Sequence, residues 1–318
     1  MHPLYAALEA AVLITFALAA WSAARRGRLP VLELLSAAAF GLLLEEGDQL
    51  IFQSYHYSAD WLLVVGRSPV AIGLTWALII AGAMRLTDAL GVRRRYAPFV
   101  DSVLAISLDL AIDAIAIRLG LWTWRGMTLT DGWFGVPAGN FYAWLWVTLA
   151  FSLVTRWLRD EALERPAREW LQLLVPVPAY AILLTGLLPF IALKPLFYPE
   201  PGDGLWPFAL VFAVFLALAG WGVFGPDRGR SHGAARAILD LPFAFAVRVA
   251  IHGIFLGAFM AVGLATELPV LLSVALLLLA AEAPLAWLVQ RRVGKAAPGS
   301  VPATPASTRP RTTGTAGA

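Results

Sequence analysis

What most constrains this chain is a succession of apolar runs separated by short polar segments. A run of roughly 20 apolar residues crosses a hydrocarbon layer of about 30 Å as a helix. Runs of this kind lie near residues 4–24, 30–51, 69–90, 98–119, 139–158, 171–193, 205–224, 240–264 and 267–289. In lipid each backbone amide must find its partner within the segment, so helices are what such runs form. The expected fold is all-α: a polytopic membrane bundle of about nine transmembrane helices. Charged residues are 14% of the chain and hydrophobic ones 59%, whereas soluble domains carry about a quarter charged residues.

The connecting segments give an orientation, because cytoplasmic loops retain Lys and Arg. Arg25, Arg26 and Arg28 follow the first run, and Arg93, Arg94 and Arg95 the third. Arg156, Arg159, Arg165 and Arg168 follow the fifth, Arg228, Arg230 and Arg236 the seventh, and Arg291, Arg292 and Lys295 the last. Intervening loops hold mainly Arg67, Arg125 and Lys194. The alternation predicts an outside N-terminus, a cytoplasmic C-terminus and a multi-pass protein of the cell membrane. The net charge of +3 is thereby explained without nucleic acid, whose footprint would gather the basic residues on one domain. Residues 1–295 read as one transmembrane helical domain. The Pro-, Thr- and Gly-rich segment 296–318 has no apolar periodicity and reads as a disordered cytoplasmic tail. The chain has no cysteine and four histidines, which excludes disulfides and thiolate chemistry and leaves little for a metal cluster.

Against this background the carboxylates stand out. An ionised Asp at the centre of a membrane helix costs about 2.5–3.5 kcal/mol on insertion scales, so such residues face protein or water. Asp109 and Asp113 are four residues apart, on one helix face and about 6 Å from each other. Asp101 would extend that stripe toward the cytoplasm. Two adjacent carboxyl groups in a low dielectric do not both ionise readily, and a retained proton is a potential general acid. The alternative is that they bind Arg118, Arg248 or tryptophan N–H groups and tie the bundle together. Glu45 and Glu46 reach a comparable outer depth on the second run but point about 100° apart, so one of them faces the interior. Arg248 and His252 form another pair four apart, as counter-ions of the acidic cluster or as groups that position substrate or water. Glu282 reads as a structural hydrogen-bonding or interface residue.

Two outer loops are unusual. FQSYHYSADW (52–61) interleaves aromatics with His56, and DGWFGVPAGNFYAW (131–144) sets a Gly/Pro turn before Asn140, a residue suited to a helix N-cap or to the substrate side. Thirteen tryptophans exceed the needs of packing alone, and many suit interfacial belts, but Trp122, Trp124, Trp133 and Trp144 cluster in sequence around the acidic helix. Aromatic faces stabilise cations.

DLAIDAIAIRLGLWTW followed by WFGVPAGNFYAW, with EEGDQLIFQSYHYS and RSPVAIGLTWALII upstream, resembles the carotenoid biosynthesis membrane-protein family that includes carotenoid 1',2'-hydratases and bisanhydrobacterioruberin hydratase. The resemblance covers roughly Glu45 to Trp146. Family members often carry proline after the second aspartate. Here Ala114 follows Asp113, which predicts a straighter helix and leaves a different substrate open.

The resemblance implies addition of water across the terminal C=C bond of an acyclic carotenoid, of the lycopene type or a C50 precursor. Asp113 would be the acid and Asp109 its tuning partner, with Glu45 or Glu46 guiding water. Trp122, Trp124, Trp133, Asn140, Trp144, His252 and Arg248 would line the substrate. No cofactor or metal is required. The partners implied are the carotenoid, the bilayer and other membrane enzymes of the carotenoid pathway. A carotenoid-binding protein or proton-coupled transporter could use the same acidic face. A membrane prenyltransferase would need paired Asp-rich motifs, and DLAID occurs once.

Overall fold

The computed structural model describes residues 3–200, 202–226 and 239–296. Arg228, Arg230, Arg236 and the 297–318 stretch of the tail lie outside the described residues. From the N-terminus the elements are α1 (Pro3–Ala24), α2 (Arg28–Gly47), a π turn (Asp48–Phe52) and the short strands β1 (Tyr55–Tyr57), β2 (Val64–Val65) and β3 (Ser68–Pro69). Then come α3 (Val70–Ala89), α4 (Ala97–Arg118), β4 (Trp122–Trp124), α5 (Ala138–Glu164) and a 3-10 segment (Pro166–Leu174). The chain continues through α6 (Pro176–Phe197), α7 (Leu205–Phe224), α8 (Leu241–Ala261), α9 (Leu264–Glu267) and α10 (Pro269–Ala296).

The fold is all-α, and seven helices (α1, α3, α5, α6, α7, α8 and α10) are long and apolar enough to cross a membrane. The other two of the expected nine, α2 and α4, form helices of 20 and 22 residues. Their charged residues keep them off that count. The sixth run starts later than its hydropathy suggests, because Pro176 opens α6 at a position where its missing N–H costs nothing. Pro189 and Pro195 lie inside that helix.

Burial divides the helices. In α3 and α5, 78% and 72% of the most apolar window is buried, against 17–28% in α1, α6, α7, α8 and α10. The centre is therefore α2 to α5, and the remaining helices form the outer layer. Close approach of α2 and α3 depends on glycine: a Cβ at Gly41 would meet the Gly73 carbonyl at 2.6 Å, the small-residue contact that lets membrane helices approach closely. One turn further along each helix stand Glu45 and Trp76.

At one end, a lid covers the bundle. β1 pairs antiparallel with β4, setting Tyr55 opposite Trp124, His56 opposite Thr123 and Tyr57 opposite Trp122. Alternation then sends the four large aromatics to one face and leaves His56 exposed on the other. Carboxylates pin the lid: Glu9 accepts from the Leu62 and Leu63 amides, and Glu46 accepts from the Arg67 amide and the Ser68 hydroxyl. Arg118 donates to the Ala114, Phe134 and Leu129 carbonyls, fastening the loop before α5 to the end of α4. It pairs with backbone, not with Asp109 or Asp113.

At the opposite end lie most of the Arg-bearing connections, with Arg26 paired to Asp240 and Arg94 to Asp160. Arg156 and Arg159, grouped above with loop charges, are instead inside the bundle, 7% and 2% exposed.

Candidate active site

Beneath the lid, α2 to α5 direct polar side chains into one cavity of about 620 Å³. From α4, Asp109 and Asp113 are both 2% exposed. The Asn140 side-chain amide, from the first turn of α5, donates to Asp109 Oδ2 at 2.9 Å and also to Asp113 Oδ2. Trp122 of the lid donates through Nε1 to Asp113 Oδ1 at 2.8 Å. The helix is regular through Ala114. Asn140 therefore bridges the two aspartates rather than capping α5, whose N-cap is Pro137 with no side-chain cap bond.

Facing this pair, Glu45 is held by three donors. Trp76 Nε1 donates to Oε1 at 2.6 Å, and the Tyr55 and Tyr57 hydroxyls both donate to Oε2. An indole N–H can only donate, so Oε1 is an accepting oxygen. Burial first, and the adjoining Glu45 carboxylate second, push both phenols well above their ordinary ionisation range, which keeps them as donors. Trp76 and Trp144 pack at a 40° tilt with ring centroids 4.1 Å apart, and Tyr55 packs edge-on against Trp124 at 4.8 Å. Acid groups and aromatic faces thus share one enclosure.

Of the residues expected from sequence to form the site, Asp109, Asp113, Glu45, Asn140, Trp122, Trp124 and Trp144 line the cavity. Four do not. Glu46 points to the β2–β3 loop as described. Trp133 donates to the Leu110 carbonyl and packs on Phe134. Arg248 and His252 are drawn to Glu282 of α10: Arg248 Nη2 is 2.6 Å and His252 Nε2 is 3.5 Å from Glu282 Oε1. A buried guanidinium takes a carboxylate able to face it directly, and α10 supplies one. Arg248 is therefore no counter-ion of the acidic cluster, and Glu282 is its structural partner.

Sequence reasoning missed Tyr55, Tyr57 and Trp76. The signal for the tyrosines was present in YHY and WTW, two aromatic-polar-aromatic triplets whose alternation is that of paired strands. Among the described residues, no group of three or more His, Asp or Glu side chains is disposed to hold a metal ion.

The family model described as "Carotenoid biosynthesis protein" matches residues 2–198. The chain belongs to this family of carotenoid biosynthesis proteins and is a membrane protein within it. Comparison with curated proteins and with solved structures gave no match. The matched region contains both aspartates, Asn140, Glu45 and the whole lid.

Proposed function

We propose that the protein is a carotenoid hydratase, adding water across the terminal C=C bond of an acyclic carotenoid. The observation that carries this reading is the enclosure itself: three buried carboxyl groups with no paired cation among the described residues, facing aromatic walls in a mostly apolar cavity. Protonating an alkene needs a carboxyl group that still holds its proton, and two carboxyl groups sharing a low-dielectric site retain one between them. Asp113 delivers that proton to the CH carbon of the terminal alkene, forming a C–H bond from the π electrons. The neighbouring carbon becomes a tertiary cation, and the faces of Trp76, Trp122, Trp124 and Trp144 stabilise it. Water held by Glu45 attacks, forming the C–O bond. Its surplus proton returns to the carboxyl cluster, so the sum is one water added. Asp109 and Asn140 keep the acid oriented and restore its proton.

On the same reading α2 and α4 are also spans. Their charged groups face the bundle interior, where neighbouring helices bind them, which makes nine crossings. The Arg-bearing end then faces the cytoplasm and the lid faces outward, in the cell membrane.

Coexpression in a host that makes an acyclic C40 carotenoid tests the proposal. The expected result is a more polar pigment heavier by one water, absent with Asp113→Asn at equal protein level. Normal product from that variant removes Asp113 from the acid role. Pigment retained without chemical change would favour a carotenoid-binding protein.

A further inference from the structure

We infer that the inner end of this cavity, where Ile251 and Phe255 of α8 meet Ile79 of α3 and Ile112 of α4, gauges the end group of the polyene and so selects which carotenoid is accepted. The inference rests on reading the site as one that takes an acyclic polyene end.

The cavity has a direction. Its exposed lining residues (Phe52, Gln53, Arg125, Ile191, Lys194 and Asp203) come from the π turn and the residue after it, the residue after β4, α6 and the α6–α7 connection. The lining contributed by α1, α3 and α8 is buried or half-buried throughout. A long hydrocarbon enters end-first from the exposed side, passes the carboxyl groups and stops against α8. Ile79 and Ile112 are 5% and 8% exposed and form one apolar cluster with Ile251 and Phe255 packed against it. Phe255 also packs against the cluster of Tyr5, Trp61 and Leu121 beneath the lid. The stop is therefore supported from two sides.

The α8 wall is held at a fixed height. Arg248 donates to the Leu104 carbonyl at 2.7 Å and to the Ser107 hydroxyl at 3.0 Å, both on α4, while Glu282 neutralises it from α10. Ile251 and Phe255, three and seven residues on, share its helix face. Arg248 and Glu282 thus set how deep an end group can reach beyond Asp109. The region matched by the family model ends at residue 198, before α8. Of the stop residues, Ile79 and Ile112 lie within the matched region and Ile251 and Phe255 beyond it.

The test offers the detergent-purified full chain an equimolar pair of acyclic carotenoids with the same polyene, one bearing an extra isoprene-sized branch at its terminus. Retained pigments are quantified, and hydrated product is scored in the same samples. Single methylenes in apolar pockets discriminate by about 10–200-fold. Phe255→Ala and Ile251→Ala should therefore raise the branched-to-unbranched ratio at least about tenfold, while His56→Ala on the outer face of the lid keeps the wild-type ratio. Phe255→Leu, a milder change, shifts it less in the same direction and serves if the alanine variants do not fold. An unchanged ratio in variants that still retain pigment overturns the gauge. A shifted ratio with no hydrated product from the wild type supports the gauge and overturns the hydratase reading. Failure of the wild type to retain either pigment overturns both.

Discussion

The molecule buries two clusters of three carboxyl groups, and they are built in opposite ways. In the inner one, Glu33, Asp88 and Asp101 surround Arg156 and Arg159: Arg159 contacts Glu33 at 2.7 Å and Asp88 at 3.0 Å, and Arg156 pairs with Asp88 and, at 3.0 Å, with Asp101. These five side chains join α2, α3, α4 and α5. In the outer cluster, Glu45, Asp109 and Asp113 have no paired guanidinium or ammonium among the described residues. Their partners are an amide, two phenols and two indoles. Ion pairing of all three carboxylates to Arg156 or Arg159, at positions that do not line the cavity, identifies the first cluster as a structural tie. Neutral donors around a cavity leave the second free to hold and release a proton. Sequence alone places Asp101, Asp109 and Asp113 on adjacent parts of one helix; what separates them is the company supplied by α5, Arg156 at one level and Asn140 at the other.

Substitutions sharpen this contrast. Asp113→Asn in the outer cluster should lower conversion by about 10²–10⁴-fold, the usual contribution of a general acid, with little loss of stability because no partner cation is stranded. Pigment analysis at matched protein level reads this out. Arg159→Leu in the inner cluster should behave in the reverse way, costing about 3–5 kcal/mol because buried Glu33 loses its counter-ion and Asp88 keeps only Arg156. A thermal unfolding assay in detergent would show it as a fall in midpoint or loss of folded protein. Equal effects of the two variants on stability would erase the distinction between the clusters. Trp76→Phe removes one donor from Glu45 and should slow turnover about tenfold or more, the value of one hydrogen bond to a charged group. Glu46→Gln should change turnover least, since that carboxylate reaches the Arg67 amide and the Ser68 hydroxyl of the β2–β3 hairpin and not the cavity. Its effect is a stability loss of about 1 kcal/mol.

The helical architecture and most of the site were legible in the sequence for physical reasons. Helices in lipid are specified by local composition, and the i, i+4 spacing of Asp109 and Asp113 fixes their common face. The 100° step between Glu45 and Glu46 foretold that they would part, and the structure sends one to the cavity and the other to the lid. Pairings across the fold were less accessible. Nothing local marks Trp76 as the donor to Glu45, because that contact arises from the approach of Gly41 to Gly73. Arg248 could have met any carboxylate at its depth, and the choice of Glu282 over Asp109 is decided by α10 packing against α8. Arg156 and Arg159 resembled loop charges because α5 runs to Glu164 and carries them inside before it ends.

The most direct test of the central claim is the reaction of purified wild-type protein with an acyclic carotenoid in deuterated water. Protonation of carbon by the aspartate pair, followed by water addition, predicts a hydrated product with one deuterium on carbon that does not wash out in ordinary water, and no such product with Asp113→Asn. Hydrated product without carbon-bound deuterium, or the same labelled product from Asp113→Asn, would contradict the account.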